Sequence, residues 1–393
     1  MRLLARLATA VLLTAAPLAA GTASAAGPEP TPAPLYTSPN AVPGQYIVTL
    51  EKGVDGAVAA QQLGLKPSFV YTSAMNGFAV PMTAAQLATV RSTPGVKSVE
   101  EDASVQSVPV PTKAPGVRAS AASWGLDRID QSALPLDNSF TPLGNGAGVT
   151  AYILDTGIDY THTEFGGRAE PGFDAVGDGR DGLDCQGHGT HVAGTVAGAT
   201  YGVARNAKLV SVRVLGCDGS GTWSSVIAGM DWVAENAVQP AVLNGSLGGT
   251  KSDAVNTAAT ALSDAGVLPV FAAGNSAQDA CGVSPASAER VVAVGATDEY
   301  DQETGFSNYG SCLSLYAPGQ DIVSAKLGGG SVALDGTSMA APHVTGVAAL
   351  YKATHPNADP AEVGDFLERE STKDVVSSIS LGSPNRLLFT GGL

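Results

Sequence analysis

Residues 149–157, VTAYILDTG, combine an apolar run with a carboxylate and a glycine at its end. A short apolar run of this kind is typical of a strand buried on both faces of a parallel sheet. Similar runs follow at residues 208–215, 241–246, 268–273 and 291–296. Segments with helical periodicity alternate with them, at residues 222–236, 253–265 and 338–353. This alternation predicts an α/β domain in three layers, with helices on both faces of a mostly parallel central sheet.

A smaller unit is predicted ahead of this domain, at residues 45–108. Alternating residues favour strands at 45–50, 78–81 and 96–106, and helical spacing favours helices at 54–63 and 83–91. This order resembles a ferredoxin-like α+β unit of about 60 residues. Proline-rich linkers are predicted on either side of it, at residues 26–44 and 109–123, and the second is the natural place for a processing cut. The large domain then spans residues 124–393.

The amino terminus predicts export. Met1-Arg2 and Arg6 precede an apolar run at residues 7–20, and Ala23-Ser24-Ala25 follows with small residues in an A-x-A pattern. These are the parts of a cleaved signal peptide, which we place at residues 1–25. The apolar run is shorter than the roughly 20 residues that a membrane span needs. We therefore expect a secreted, extracellular protein without a membrane anchor.

Charge argues against nucleic acid as a partner. The 21 lysines and arginines against 36 aspartates and glutamates give a net charge of −15. A surface of this sign repels a phosphate backbone.

The four cysteines are expected to form disulfides, because exported proteins meet an oxidising environment. Three pairings are open. Cys185–Cys217 with Cys281–Cys312 is the pairing that closes two separate loops of similar length. A zinc site is the alternative, but the C-x-x-C spacing typical of zinc ligands is missing.

Three polar residues lie where strands end or helices begin, which is where open α/β sheets place their sites. Asp155 ends the first strand, His188 lies in GHGTHVAG at residues 187–194, and Ser338 lies in GTSMAAPH at residues 336–343. Taken alone, the aspartate is also typical of an ordinary turn and the serine of a helix N-cap. Together they supply a nucleophile, its base and a carboxylate that orients the base.

Asn275, in AAGN at residues 272–275, is a fourth candidate. Its amide can donate to the oxyanion of a tetrahedral intermediate alongside the backbone N–H of Ser338. His191 is not expected to bind a metal, because the H-E-x-x-H spacing and its glutamate are missing. His343 faces a helix start in its block and is expected to be structural rather than a second base. His162 and His355 are expected at the surface.

The three blocks around Asp155, His188 and Ser338, in that order, resemble the signatures of the subtilase family of subtilisin-like serine proteases. Residues 124–387 resemble its proteinase K branch, and aqualysin-like members in particular. Residues 45–108 resemble the inhibitor-type propeptide of these enzymes. The resemblance implies a subtilisin-like fold, a serine endopeptidase made as a zymogen, and the cysteine pairing given above.

The resemblance further implies that the propeptide assists folding, blocks the cleft and is removed autocatalytically near residues 114–120. An edge strand should bind the substrate backbone, and small residues should line the pocket for the P1 side chain. Protein and peptide substrates with an apolar or aromatic P1 residue, broad specificity and a monomeric enzyme are expected. The strand residues are Ser246, Leu247, Gly248 and Gly249, and the pocket residues are Ala272, Ala273 and Gly274.

Calcium is the structural ion that the resemblance implies, and no catalytic cofactor is expected. An oxygen-rich cluster suits a hard cation; its residues are Asp127, Asp130, Gln131, Asp137 and Ser139. A second site of the family is in doubt, because Ser314 stands where a carboxylate ligand belongs. The acidic residues Asp174, Asp178, Asp181 and Asp184 are expected to form a solvated surface loop.

Two other function classes are weaker hypotheses. A lipase or esterase would use the same triad chemistry, but its elbow is G-x-S-x-G, and the nearest match begins with Asn244 in place of the first glycine. The triad order would also be Ser, Asp, His. A non-catalytic binding protein on this fold would be indicated by the loss of one triad residue, and all three are present.

Overall fold

The computed structural model describes residues 31–107 and 123–393. The predicted signal peptide at residues 1–25 and nearly all of the linker predicted to hold the processing cut lie outside the described residues. Pro32–Leu393 form one unit, so that the small and large domains contact each other directly.

The elements of the small domain are β1 Leu35–Tyr36, β2 Ala41–Leu50, α1 Gly56–Gln62, β3 Phe69–Tyr71, β4 Gly77–Pro81, α2 Ala84–Arg91 and β5 Val96–Ser107. They form a four-stranded antiparallel sheet in the order β5-β2-β4-β3, covered by two helices, and β1 adds to β5 in parallel. Its predicted strands and helices are present, whereas β3 was not predicted. Strand β1 and the start of β2 lie within residues 26–44, which the sequence assigned to a linker.

The large domain alternates strands and helices as predicted. Its helices are α3 Trp124–Ile129, α4 His188–Ala197, α5 Trp223–Asn236, α6 Asp253–Asp264, α7 Thr337–Thr354 and α8 Pro360–Glu370. Its strands are β6 Thr150–Asp155, β7 Ala169–Asp174, β8 Lys208–Arg213, β9 Ser220–Thr222, β10 Ala241–Gly245, β11 Leu247–Thr250, β12 Leu268–Ala272, β13 Val283–Ser284, β14 Val292–Thr297, β15 Leu315–Pro318, β16 Ile322–Ala325, β17 Ser331–Leu334, β18 Thr372–Lys373 and β19 Arg386–Leu387.

The central sheet of the large domain runs β18-β19-β15-β14-β12-β10-β6-β8-β7, and every neighbouring pair is parallel except β18 with β19. Strand β6 shows why its sequence is apolar throughout. Ile153 packs in the core with Val192 of α4 on one face, and Leu154 packs with Val226 of α5 on the other. Burial on both faces confirms the three-layer α/β fold.

The two disulfides join Cys185 to Cys217 and Cys281 to Cys312, which confirms the predicted pairing. The first disulfide joins residues 32 positions apart in the sequence, and the second joins residues 31 positions apart. On the chain-entropy model such a loop stabilises the fold by roughly 3–4 kcal/mol. In the described part of the chain, no helix has the length and hydropathy that crossing a membrane requires.

Candidate active site

Asp155 and His188 meet where β6 ends and α4 begins. The Nδ1 atom of His188 lies 2.8 Å from Asp155 Oδ1 and 2.9 Å from Oδ2. Oδ1 also accepts a 2.7 Å hydrogen bond from Thr156 N. Both side chains are buried. Because a carboxylate can only accept, Nδ1 is the nitrogen that carries the proton, and Nε2 remains as the basic position.

The surroundings of His188 favour its protonation. Burial acts against the charged imidazolium, but the charge and hydrogen bond of Asp155, with a further contribution from the charge of Asp184, raise the pKa of His188 above its usual value. Among the described residues, His188 Nε2 is buried without a hydrogen-bond partner. The imidazole is therefore oriented through Nδ1, while Nε2 is available for proton transfer.

Ser338 is the second residue of α7, next to the carboxyl end of β10. Its Oγ donates to the carbonyl oxygen of Ser246 at 3.1 Å, and Ser246 Oγ donates to the carbonyl oxygen of Ser338 at 2.8 Å. Ser246 Oγ itself accepts from Asn244 Nδ2 at 2.8 Å. This chain of hydrogen bonds ties the start of α7 to β10, which pairs with β6 through Gly245 and Leu154. Ser338 thus lies at the same edge of the sheet as Asp155.

Asn275 follows β12 at this edge. Its Oδ1 accepts from both the backbone N and the Oγ1 of Thr337, at 2.8 and 2.7 Å. These two donors fix which end of the amide is oxygen, so that the NH2 group is on the side away from Thr337. Gly274 has a φ of 103°, and a Cβ there would collide with the Asn308 side chain. A glycine is therefore required just before Asn275.

The end of the small domain lies between two edge strands of the large domain. Strand β5 is antiparallel to β11, with Ser107 opposite Leu247 and Gln106 opposite Gly248. On its other side it is antiparallel to β9. Main-chain pairing of this kind is how an extended peptide adds to a sheet edge.

The other residues predicted to bind substrate have different surroundings. Gly249 pairs with Ser284 of β13, and Ser246 precedes β11 rather than belonging to it. Ala272 and Ala273 are buried in two apolar cores.

Further contacts between the domains involve carboxylates that the sequence analysis did not single out. Glu100 and Asp102 of β5 accept hydrogen bonds from the first turns of α6 and α5, respectively. In the opposite direction, Asp231 of α5 accepts from the backbone N–H groups of residues 72–74. The sequence contains one indication of these contacts: side chains alternate along a strand, so Glu100 and Asp102 lie on the same face of β5.

The expectation of a solvated acidic loop is wrong for two of its four members, Asp174 and Asp184. Asp174 and Asp178 accept hydrogen bonds from Arg213, which is fully buried, and Asp184 is itself buried. Asp174 is half-buried, whereas Asp178 and Asp181 are exposed as expected. The charge of Arg213 and the hydrogen-bond donors of the loop explain why Asp174 and Asp184 are not solvated, since buried carboxylates need such partners.

The predicted calcium ligands lie together in α3 and in the segment that follows it. Asp137 N donates to Asp127 Oδ1 and to Gln131 Oε1, each at 3.2 Å, while Asp130 accepts from Thr141 N at 2.8 Å. Burial, with a contribution from the nearby charge of Asp137, raises the pKa of Asp127 and of Asp130. Ser139 donates its backbone N–H to Asp137. Crowded carboxylates and an amide oxygen fit a hard cation in their donor chemistry.

A different cluster meets the distance requirement for a metal site. Asp178, Cys185 and Cys217 have ligand atoms within 4.8 Å of one another, and it is the one such group of three or more in residues 31–107 and 123–393. Because the two cysteines form a disulfide, they offer no thiolate to a metal.

The remaining histidines are structural where they are buried. His191 Nε2 faces the carbonyl oxygens of Ile322 and Val332, and burial lowers the pKa of His191 to about 3. Burial likewise lowers the pKa of His343 to about 4. His162 is also buried, with its Nε2 3.0 Å from Gly330 O, so the surface expectation was wrong for it; His355 is exposed.

Comparison with known proteins agrees with this architecture. Residues 146–385 match the Subtilase family, and residues 59–107 match the Peptidase inhibitor I9 family. The chain belongs to the subtilase family: it is a subtilisin-like serine proteinase preceded by an I9 inhibitor propeptide.

Three similar proteins illustrate the relationship. An extracellular serine proteinase of Thermus sp. (strain Rt41A) is 46% identical, over 90% of this chain and 91% of the relative. Proteinase R of Parengyodontium album is 38% identical, over 91% and 92%. A cold adapted subtilisin-like serine proteinase of known crystal structure is 50% identical in sequence. Its structure matches with a TM-score of 0.68, over 69% of this chain and 99% of the other.

Proposed function

We propose that Asp155, His188 and Ser338 form the catalytic triad of a secreted endopeptidase. The observation that carries this proposal is the imidazole of His188: its Nδ1 is held by both oxygens of Asp155, and its Nε2 is buried without a hydrogen-bond partner among the described residues. A base oriented in this way on a sheet edge shared with a serine at a helix start suits acyl transfer.

In the proposed reaction, Ser338 Oγ turns from the Ser246 carbonyl towards His188 Nε2 and attacks the peptide carbonyl carbon. His188 takes the hydroxyl proton, and Asp155 stabilises the imidazolium that forms. The Asn275 amide and the Ser338 N–H donate to the oxyanion. His188 then gives its proton to the leaving amine, and water hydrolyses the acyl-enzyme with the same base.

The substrate is proposed to bind as an extended strand along β11. The pairing of Ser107 and Gln106 with Leu247 and Gly248 supports this, because the small domain uses the same edge through its main chain. Main-chain pairing depends little on side chains, which favours broad specificity. Small residues at Ala272, Ala273 and Gly274 favour an apolar or aromatic P1 residue.

The pairing of the small domain with β11 suggests why the precursor would be inactive. A propeptide strand that pairs with β9 and β11 excludes a substrate strand from that edge. We place the autocatalytic cut within residues 109–123, and release of the propeptide then yields a monomeric enzyme. The leader sequence and the relatives named extracellular support secretion.

Structural calcium is proposed between α3 and the segment that follows it. Asp127, Asp130, Gln131, Asp137 and Ser139 would hold it, and the ion would neutralise carboxylates that otherwise repel one another. Chelation should then lower the unfolding temperature of the enzyme, and added Ca²⁺ should restore it. An unfolding temperature that does not respond to chelator would contradict the site.

The triad is tested with Ser338→Ala in the exported precursor. The variant should neither hydrolyse casein nor process itself, and it should keep its propeptide attached. Ser331→Ala is the matched control, because Ser331 is an exposed serine of β17; it should mature and cleave casein normally. Self-processing of Ser338→Ala at the normal rate would overturn the assignment.

A further inference from the structure

Asp184 lies four residues before His188, and its buried carboxylate accepts five hydrogen bonds. Oδ1 accepts from Thr156 Oγ1, Gln186 N and Gly187 N, each at 2.9 Å. Oδ2 accepts from Thr190 N at 3.0 Å and from Thr190 Oγ1 at 2.6 Å. Such a set of donors holds a carboxylate in one orientation.

These bonds join the two chain segments that carry the Asp155–His188 pair. Thr156 follows Asp155, and its Oγ1 accepts a 2.9 Å hydrogen bond from Gly189 N, the residue after His188. The Thr156 hydroxyl therefore links Asp184 to the first turn of α4. A Cβ at Gly189 would meet the Gly157 carbonyl oxygen, which shows how closely the two segments approach.

Asp184 also contributes charge near the imidazole. The titratable groups that act on His188 are Asp155 at the end of β6 and Asp184 before α4, and His191 lies one turn further along α4. His191 stays neutral near pH 7, because burial, together with the charge of His188, lowers its pKa to about 3. Asp184 is thus the second negative charge that favours the imidazolium.

We propose that Asp184 is a positioning residue of the proteinase, which holds the segment of Asp155 against that of His188 through Thr156 and stabilises the protonated imidazole with its charge. The inference rests on the triad proposed above. It goes beyond the triad, because Asp184 contacts neither substrate nor the reacting atoms.

The test compares purified mature variants on a peptide anilide with phenylalanine at P1. Asp184→Asn removes the charge at constant size, and Asp181→Asn is the matched control on the same loop, where the side chain is exposed. Thr156→Val removes the linking hydroxyl, and Thr156→Ser restores it. Titration with a fluorophosphonate counts the competent active sites, so that kcat refers to folded enzyme only. Precursors that do not process themselves are matured by added wild-type enzyme.

We expect Asp184→Asn to lower kcat about tenfold to 100-fold with little change in KM, because small displacements of catalytic groups have effects of this size. The acid limb of its kcat/KM profile should move to lower pH. Thr156→Val should lower kcat in the same direction, and Thr156→Ser should recover most of it. Asp181→Asn should match the wild type in kcat and pH profile.

The inference is overturned if titrated Asp184→Asn has the kcat and acid limb of Asp181→Asn, or if Thr156→Val turns over like Thr156→Ser. If the fluorophosphonate labels Ser338 of the wild type in that experiment, only the role of Asp184 is lost. If the wild type is not labelled there, the triad itself is wrong.

Discussion

Glu100 Oε2 accepts a 2.6 Å hydrogen bond from Ser252 Oγ, across the boundary between the propeptide and the proteinase domain. Ser252 is the N-cap of α6, and Glu100 Oε1 also accepts from Ala254 N in the first turn of this helix. Asp102 makes the equivalent contacts with Ser224 at the start of α5. The propeptide thus places two carboxylates at the positive ends of two helices, whose donors offset part of the burial that raises the pKa of both groups.

Glu100→Ala should weaken inhibition of the mature enzyme by added propeptide. Hydrogen bonds to a charged group contribute about 1.5–3 kcal/mol, so the inhibition constant should rise about tenfold to 100-fold. Glu101→Ala is the control, since Glu101 accepts from Ser38 within the propeptide. Equal inhibition constants for the two variants would show that the contact between Glu100 and α6 contributes nothing to binding.

Asn275→Leu should reduce kcat about 100- to 1000-fold with a small change in KM, the range measured for an oxyanion-hole asparagine in another member of this family. The reason is that the amide donates to charge present in the transition state and not in the bound substrate. Steady-state kinetics on titrated enzyme measure the effect. A kcat equal to that of the wild type would exclude Asn275 from the oxyanion hole.

The activity should decline on the acid side with the titration of His188. Asp155 raises the pKa of His188 despite its burial, and the neutral imidazole is the base. As the pH falls through this raised pKa, the base is lost, so the acid limb of kcat/KM should have its midpoint above the ordinary histidine value of 6.5. The profile of kcat/KM against pH is the measurement. A midpoint clearly below that value would contradict the pairing with Asp155.

Asp301→Asn should strongly lower the stability of the inhibited mature enzyme. Arg128 is fully buried and pairs with Asp301 at 2.6 Å, so the substitution leaves a buried charge without its counter-ion. Such losses cost about 3–5 kcal/mol. Asn tolerates the φ of 60° at this position. The comparison is Asp264→Asn, which breaks the exposed pair with Arg290 and should cost about 1 kcal/mol or less.

Thermal unfolding of these two variants, each blocked with an irreversible inhibitor, measures the difference. If Asp301→Asn and Asp264→Asn unfold at the same temperature, the buried pair does not stabilise the fold.

The sequence was most informative where the structure depends on residues that are close together in the chain. The apolar strands of the central sheet could be predicted because burial on both faces removes polar residues from them. Asp155, His188 and Ser338 were recognisable because each lies in a short block with its own glycines. Strand β3, at Phe69–Tyr71, was missed because three residues are too few for a periodicity.

Residues whose roles depend on distant contacts could not be predicted. The roles of Glu100 and Asp102 appear only when β5 lies against α5 and α6. Alternation along a strand predicts that the two side chains share a face, but it does not predict which helices that face contacts. Asp184 was assigned to a solvated loop because acidic runs usually are exposed. Its burial depends on Thr156 and Thr190, which the sequence does not place beside it.

The most direct test of the central claim is to treat the exported, mature protein with a serine-directed fluorophosphonate and locate the label by peptide mass spectrometry. The triad predicts stoichiometric labelling of Ser338, with loss of casein hydrolysis in proportion to the label. A fully matured protein that takes up no label, or that carries it on another serine, would contradict the assignment of Ser338 as the nucleophile.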